Sequence, residues 1–322
     1  MDDKFTTERT DYYFGCKNTS LSRALKQFPL DTKILPSRPS VDFKSWFHQL
    51  YQSSLIPLNI RQKLWRLFRR TGADETWFIP FQHYWSEVLE QRPMWGVADL
   101  LFLRGYYRLD FQKLALPDNG TVDDHVEGFQ QSETIYSLLH QVYKESLINH
   151  AGLIMRVKAH LGHSPDSMIE YGSGSAPVTT SFFEFTPPRK RSIPIYLMDI
   201  ETFTFQYAAY KFREFLNIGI VPLKPEDNLQ MTGERRVDVI YCLTVMEHLN
   251  APLETARKFH QSLLPGGLLV FDYIKGDGDG LDTAVGVEQR ADVLDFIEKN
   301  FDVLSGSINR SSSMGTTIVR KK

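Results

Sequence analysis

The chain has 322 residues, 42% of them hydrophobic and 24% charged, with a formal net charge of −2. That is an ordinary soluble composition, long enough for one large domain or two modest ones, and its near-zero balance leaves no global electrostatic footprint for nucleic acid. Cys16 and Cys242 are the only cysteines, too few for a disulfide framework or a metal cluster, and no apolar run of roughly 18 residues exists to cross a membrane.

The opening Met1-Asp2-Asp3-Lys4-Phe5 has no apolar core of the kind a signal peptide needs, so a cytoplasmic setting is expected. Residues 1–40 are polar and interrupted by Pro29, Pro36 and Pro39, which suits either a flexible arm or a strap over a neighbouring surface. From 41 the character changes. All five tryptophans (Trp46, Trp65, Trp77, Trp85 and Trp95) precede residue 118. Leu64, Trp65, Phe68 and then Phe81, Tyr84, Trp85, Val88, Leu89 repeat at helical spacing. Short helices punctuated by Pro57, Gly72, Pro80 and Pro93 follow. Their aromatics either form the core of a small helical domain or line a pocket for a flat, apolar substrate, and both can hold at once. Thr121 caps a further expected helix, the pattern Ile135, Leu138, Leu139, Val142, Tyr143 continues it, and another helix is expected over 148–161. The divisions expected are thus a polar arm (1–40), a helical domain (41–150) and a C-terminal domain (151–322).

Beyond 165, apolar strand-like runs at Ile195–Met198, Val237–Leu243, Leu268–Phe271 and Thr316–Val319 alternate with helical stretches. This is the pattern of a largely parallel sheet covered by helices on both faces, whose ligands sit at the carboxyl ends of its strands. The basic run Arg189-Lys190-Arg191 after Pro187-Pro188 reads as an exposed loop. The first strand, Met168–Tyr171, carries Glu170 and runs into Gly172-Ser173-Gly174-Ser175-Ala176-Pro177. Two glycines here admit positive φ and let a ligand approach bare backbone, and a helix starting near Val178 would offer free N–H groups to a carboxylate or phosphate.

Four ordered motifs carry a resemblance. They are Glu170-x-Gly172-x-Gly174-x-Ala176, the strand Ile195–Ile200 ending in Asp199, Val237-Asp238-Val239-Ile240-Tyr241-Cys242-Leu243-Thr244-Val245-Met246-Glu247-His248-Leu249, and Leu263-Leu264-Pro265-Gly266-Gly267-Leu268-Leu269-Val270. In this order the region from 165 to 322 resembles the class I S-adenosylmethionine-dependent methyltransferases. The resemblance implies an α/β fold: a Rossmann-like, seven-stranded, mostly parallel sheet with helices on both faces, here preceded by the aromatic-rich helical domain. It implies S-adenosyl-L-methionine as cofactor and S-adenosyl-L-homocysteine as product. Glu170, Gly172 and Gly174 would sit at the methionyl end, Asp199 and Ile200 at the ribose, Glu226 or Asp227 at the adenine, and Leu243 and Thr244 beside the methyl donor. Ala176 replaces a glycine of the pattern, which is harmless if its φ is negative.

Glu247 and His248 are the candidate catalytic residues if the acceptor must lose a proton; the alternative is that the pair begins a helix, with His248 packed on the sheet. Asp272 and Tyr273 would shape the acceptor pocket. No Asn/Asp-Pro-Pro-Tyr segment follows the Val237 strand, and Cys242 lacks the motif of cytosine-C5 enzymes and reads as a buried small residue. Asp277-Gly-Asp279-Gly fails as a calcium loop because Leu281 stands at a ligand position and Asp282 at the glycine. Pro177 occupies the third glycine that a nicotinamide site requires. The expected function is methyl transfer to a small or medium-sized organic acceptor, with no membrane span and no clear nucleic-acid signature. A protein or RNA methyltransferase, and a non-catalytic protein retaining the fold, remain alternatives.

Overall fold

The computed structural model describes residues 56–112, 128, 131, 134–223, 236–275 and 282–322. Outside them lie the arm 1–40, the aromatics Phe43, Trp46, Phe47 and Tyr51, the Thr121 helix start, the adenine candidates Glu226 and Asp227, and the Asp277–Asp279 stretch.

Helices α1 (Leu58–Arg70), α2 (Ile79–Glu87), α3 (Val97–Phe111), α4 (Ile135–Glu145) and α5 (Ala151–Leu161) precede the sheet. Then come β1 (Met168–Tyr171), α6 (Pro177–Phe185), β2 (Ile195–Ile200), α7 (Phe203–Lys211), β3 (Ile218–Leu223) and β4 (Val237–Cys242). They are followed by α8 (Pro252–Ser262), β5 (Leu263–Tyr273), α9 (Ala284–Glu288), α10 (Arg290–Asn300), β6 (Phe301–Ser305) and β7 (Met314–Lys321). The strands form one seven-stranded sheet in the order β3-β2-β1-β4-β5-β7-β6. All neighbours are parallel except β7, which runs antiparallel to β5 and β6. The expected seven-stranded, mostly parallel sheet is present.

Period-2 side-chain alternation builds both layers. On β4, Ile240 and Cys242 join the core with Phe259 of α8 and Ile297 of α10, while Val239 and Tyr241 face Val157 of α5, Phe182 of α6 and Phe205 of α7. After β1 the chain proceeds outward through β2 and β3, then returns to place β4 on the other side of β1. The crevice at the carboxyl ends of β1, β2 and β4 is therefore the switch point of the sheet, where such folds hold ligands.

Helices α2, α3 and α4 join this sheet through α7, whereas α1 meets α6, Trp65 packing with Phe185. Phe81, Tyr84, Leu138 and Val142 share one core with Phe203, Tyr207 and Tyr210. Tyr207 meets Phe81 edge-on at 5.5 Å and Tyr84 at 5.4 Å, and the Tyr210 hydroxyl donates to Glu87 Oε2 at 2.6 Å. Trp65, Phe78, Phe81, Tyr84 and Trp85 are fully buried, Trp65 beside Ala151 and Phe185 and the other four in the core shared with α7.

Helix α7 stops at Lys211, where Phe212 and Phe215 turn back onto Phe183. In the basic run, Arg189 and Lys190 are exposed as expected, on a single 3-10 turn over Pro188–Lys190.

Candidate functional site

β1 ends in the glycine turn, and the backbone there uses the freedom of its small residues. Gly172 has φ +63° and Gly174 φ +48°, the left-handed region that glycine enters without steric cost. Gly172 has a second reason to lack a side chain: a Cβ would stand 2.1 Å from Val245 Cγ2, on the loop after β4. Ala176, by contrast with the sequence expectation, lies at φ +58°. It caps α6 in the left-handed conformation, where its methyl group crowds the following carbonyl.

The helix following the turn does not present free donors. Glu170 points to the α6 side of the sheet, where its Oε1 accepts the Val178 N–H at 3.0 Å. Its Oε2 accepts the Thr179 N–H at 2.8 Å and the Thr179 hydroxyl at 2.6 Å. Pro177 has no N–H, and Thr180 N–H already donates to Ala176 O at 2.9 Å. The expectation that this helix N-terminus waits for a ligand's anion is therefore overturned: the protein supplies its own carboxylate. Burial outweighs these three hydrogen bonds and pushes the Glu170 carboxyl up to about 7.

Asp199 closes the turn from β2. Its Oδ2 accepts the Gly174 N–H at 2.6 Å and its Oδ1 accepts the Ile200 N–H at 2.8 Å. Desolvation at the strand end raises its carboxyl to about 6, against the pull of those two donors. Two residues that sequence patterning missed complete the turn. Gln141, on α4, accepts the Ser175 N–H at its Oε1 at 3.1 Å. Lys211, the last residue of α7, donates to Ser175 O at 2.6 Å, to Thr180 Oγ1 at 2.8 Å and to Glu145 Oε1 at 2.9 Å. The hydroxyls of Ser173 and Ser175 are buried with no hydrogen-bond partner among the described residues.

A second group of polar residues stands at the ends of β4 and β5. Thr244 takes a left-handed φ of +55°, and its N–H donates to Asp272 Oδ1 at 2.6 Å, tying the two strand ends together. Glu247 and His248 lie on the 3-10 turn Met246–His248. Glu247 is buried, with Oε2 unpartnered among the described residues, and desolvation, with Asp272 and Asp282 nearby, raises it to about 7. His248 stands between Glu247 Oε1 at 3.8 Å and Asp282 Oδ1 at 3.7 Å, at ion-pair range and partly open to solvent. The Tyr273 hydroxyl donates to Gly286 O, which points it into α9 and away from a reactive role. Cys242 is buried and burial holds its thiol well above the usual range, as befits a core residue.

The structure thus brings Gly172, Gly174, Asp199 and Ile200 into one turn, with Glu170 behind it. Leu243 and Thr244 lie at the adjacent end of β4, and Glu247 and His248 follow on the same connection. Gln141 and Lys211 carried no motif: Gln141 lies on the amphipathic α4 and Lys211 ends the otherwise buried α7, and only the tertiary packing of the two helices reveals where each points.

Residues 147–296 match the family described as a methyltransferase domain. Among solved structures, the chain is similar to the N-methyltransferase NodS from Bradyrhizobium japonicum WM9 in complex with S-adenosyl-L-homocysteine, at 12% identity and a TM-score of 0.39, over 53% of this chain and 85% of that one. It is also similar to the 1,6-didemethyltoxoflavin-N1-methyltransferase of Burkholderia thailandensis, with bound 1,6-didemethyltoxoflavin and S-adenosylhomocysteine, at 18% identity and a TM-score of 0.41, over 59% of this chain and 86% of that one. A comparison with curated proteins finds no match.

Proposed function

We propose that this chain is a class I S-adenosylmethionine-dependent methyltransferase that moves the methyl group to a small or medium-sized organic acceptor by in-line displacement, a reading supported by the methyltransferase-domain match over 147–296 and by the strand order of the sheet. The observation that carries the reading is the left-handed Gly172–Gly174 turn after β1 faced by Asp199 at the carboxyl end of the neighbouring β2, its Oδ2 2.6 Å from the Gly174 nitrogen. Bare backbone leaves room for the methionyl part of S-adenosylmethionine. The Asp199 carboxylate offers about four lone-pair sites, so two backbone donors leave capacity for a ribose diol. The unpartnered Ser173 and Ser175 hydroxyls are polar groups the fold has buried without satisfying, which fits a polar ligand at this turn. Leu243 and Thr244 would flank the methyl donor, and Glu226 or Asp227 would meet the adenine.

When bound, S-adenosylmethionine supplies a methyl group activated on a sulfonium. What remains for the protein is to place the acceptor atom in line, worth roughly 7–11 kcal/mol of barrier. Where the acceptor must lose a proton, Glu247 and His248 are the residues to take it. A carboxyl raised to about 7 matches a general base working near neutral pH, and the adjacent His248 would pass the proton to solvent. Residues 41–150 would form the acceptor side of the site. Among the described residues no helix is long and apolar enough to cross a membrane, and a cytoplasmic setting belongs to the same proposal.

Calorimetry with S-adenosylmethionine tests the cofactor half: binding is expected in the wild type and lost in Asp199→Ala, and unchanged binding in the variant would overturn the ribose assignment. The acceptor half is tested with methyl-labelled cofactor in cell extract fractionated by size. Label in the small-molecule fraction is expected. Label in protein or RNA would point to a macromolecular acceptor, and none in any fraction to a non-catalytic protein.

A further inference from the structure

The glycine turn is completed by a helix that the methyltransferase match does not include. The match begins at residue 147, yet Gln141 of α4 takes the Ser175 N–H at 3.1 Å, and a Cβ on Gly174 would stand 2.8 Å from its Oε1 and 3.4 Å from its Nε2. The Ser175 donor fixes the amide's orientation: the oxygen must face the turn's N–H, so the NH2 group faces away from it. That NH2 makes no hydrogen bond among the described residues, and the residue is only partly buried. Two donors are therefore held beside Gly174.

The position matters because the usual donors at such a turn are spent. Val178 and Thr179 N–H groups are consumed by Glu170, Pro177 has none, Gly174 N–H goes to Asp199, and Ala176 N–H goes to Ser173 O at 2.7 Å. A ligand's carboxylate arriving here finds side-chain donors, not backbone ones. The helix that carries Gln141 is held firmly. Glu145, one turn further along α4, pairs with the Lys211 ammonium, which at the same time grips Ser175 O and Thr180 Oγ1. The Glu145–Lys211 pair fixes α4, and with it Gln141, to the turn.

We propose that Gln141 is a positioning residue for the cofactor, its amide NH2 binding the carboxylate of the amino-acid end, so that the N-terminal helical segment forms part of the donor site. This rests on the cofactor reading above. The geometry explains why Gly174 must be glycine for a reason separate from its φ: any side chain there would displace the Gln141 amide. It also makes the helical segment more than a cover for the acceptor.

The test separates the amino-acid end from the nucleoside end. Gln141→Glu keeps an oxygen for the Ser175 N–H but replaces the NH2 donors with a negative charge. Calorimetric affinities are compared for S-adenosylhomocysteine, which has the amino-acid end, and 5′-methylthioadenosine, which lacks it. The expected result is at least tenfold weaker S-adenosylhomocysteine binding, with 5′-methylthioadenosine within twofold of wild type and thermal unfolding unchanged. Gln141→Ala should show the same selectivity with a smaller loss. Equal weakening of both ligands, or no weakening of either, would overturn the role of Gln141. A wild type that binds neither ligand would instead overturn the cofactor reading itself.

Discussion

At Ala176 three small effects oppose one another. A left-handed L-residue costs roughly 1–2 kcal/mol, which a glycine would relieve. Glycine in turn gives back about 0.4–1 kcal/mol through the freer unfolded chain. The Ala176 methyl is also fully buried in the core beside Val178 and Phe182, worth about 0.8 kcal/mol. The terms nearly cancel, so Ala176→Gly should change unfolding free energy by less than about 1 kcal/mol in denaturant titration. Ala176→Val adds a β-branched side chain to the same left-handed, enclosed position and should cost more than about 2 kcal/mol. A tolerated valine would show that the turn is not held left-handed. Asp199 makes a prediction in pH. Its carboxyl, raised to about 6 by burial, must be ionised to accept hydrogen bonds from a ribose diol while keeping the Gly174 and Ile200 donors. Cofactor affinity should therefore be level above pH 7 and fall by up to tenfold per unit below about 6. Asp199→Asn should bind more weakly and lose that slope. A wild-type affinity that stays level down to pH 5 would remove Asp199 from the ribose role.

At the scale of an element, Glu170 explains how β1 and α6 are joined. The acid in the motif looks, in sequence, like a residue aimed at the ligand, whereas strand alternation sends it to the opposite side from Tyr171, into the first turn of α6. Glu170→Gln retains one acceptor oxygen for two N–H donors, and leaving a buried donor unsatisfied costs about 1–3 kcal/mol. The sign of its pH dependence follows from linkage. The folded state holds a proton on Glu170 up to about 7, the unfolded state only to about 4.5. Between those values the native state binds more protons, so this group makes stability fall as pH rises. The variant should flatten that part of the stability profile in urea titrations from pH 4.5 to 7; an unchanged slope would mean Glu170 is ionised in the fold throughout. Strands announced themselves as apolar runs bounded by turn residues, and Gly172, Gly174 and Asp199 lie where their spacing put them. The backbone state of Ala176, the direction of Glu170, and the reach of Gln141 and Lys211 depend on which face of one element meets another. No local pattern encodes that.

At the scale of the whole molecule, the helical segment and the sheet share a hydrophobic seam, with buried polar ties beside it where Arg69 and Trp65 meet Glu184 and Tyr210 meets Glu87. Tyr207 sits at its centre, fully buried between Phe81 and Tyr84, with its hydroxyl unpartnered among the described residues. A buried hydroxyl without a partner costs more than it contributes, so Tyr207→Phe should leave stability equal or raise it by up to about 1 kcal/mol. Tyr207→Ala removes the ring and should cost roughly 3–5 kcal/mol, the range for large aromatics emptied from a core. The seam also fixes how the molecule unfolds. Every tryptophan lies before residue 118, so tryptophan fluorescence reports the helical segment, while far-ultraviolet circular dichroism is dominated by the full set of helices and strands. Two units joined by a thin polar contact would melt separately. A core that includes Phe203, Tyr207 and Tyr210 on one side and Phe81, Tyr84 and Leu138 on the other couples them. The two signals should trace one coincident denaturant transition in the wild type. In Tyr207→Ala the fluorescence transition should move to lower denaturant, and S-adenosylhomocysteine binding should weaken with it, because α4 then loses its seat beside the glycine turn. Separate transitions in the wild type, or full cofactor binding after the tryptophan region has unfolded, would show that the donor site is built from the sheet alone.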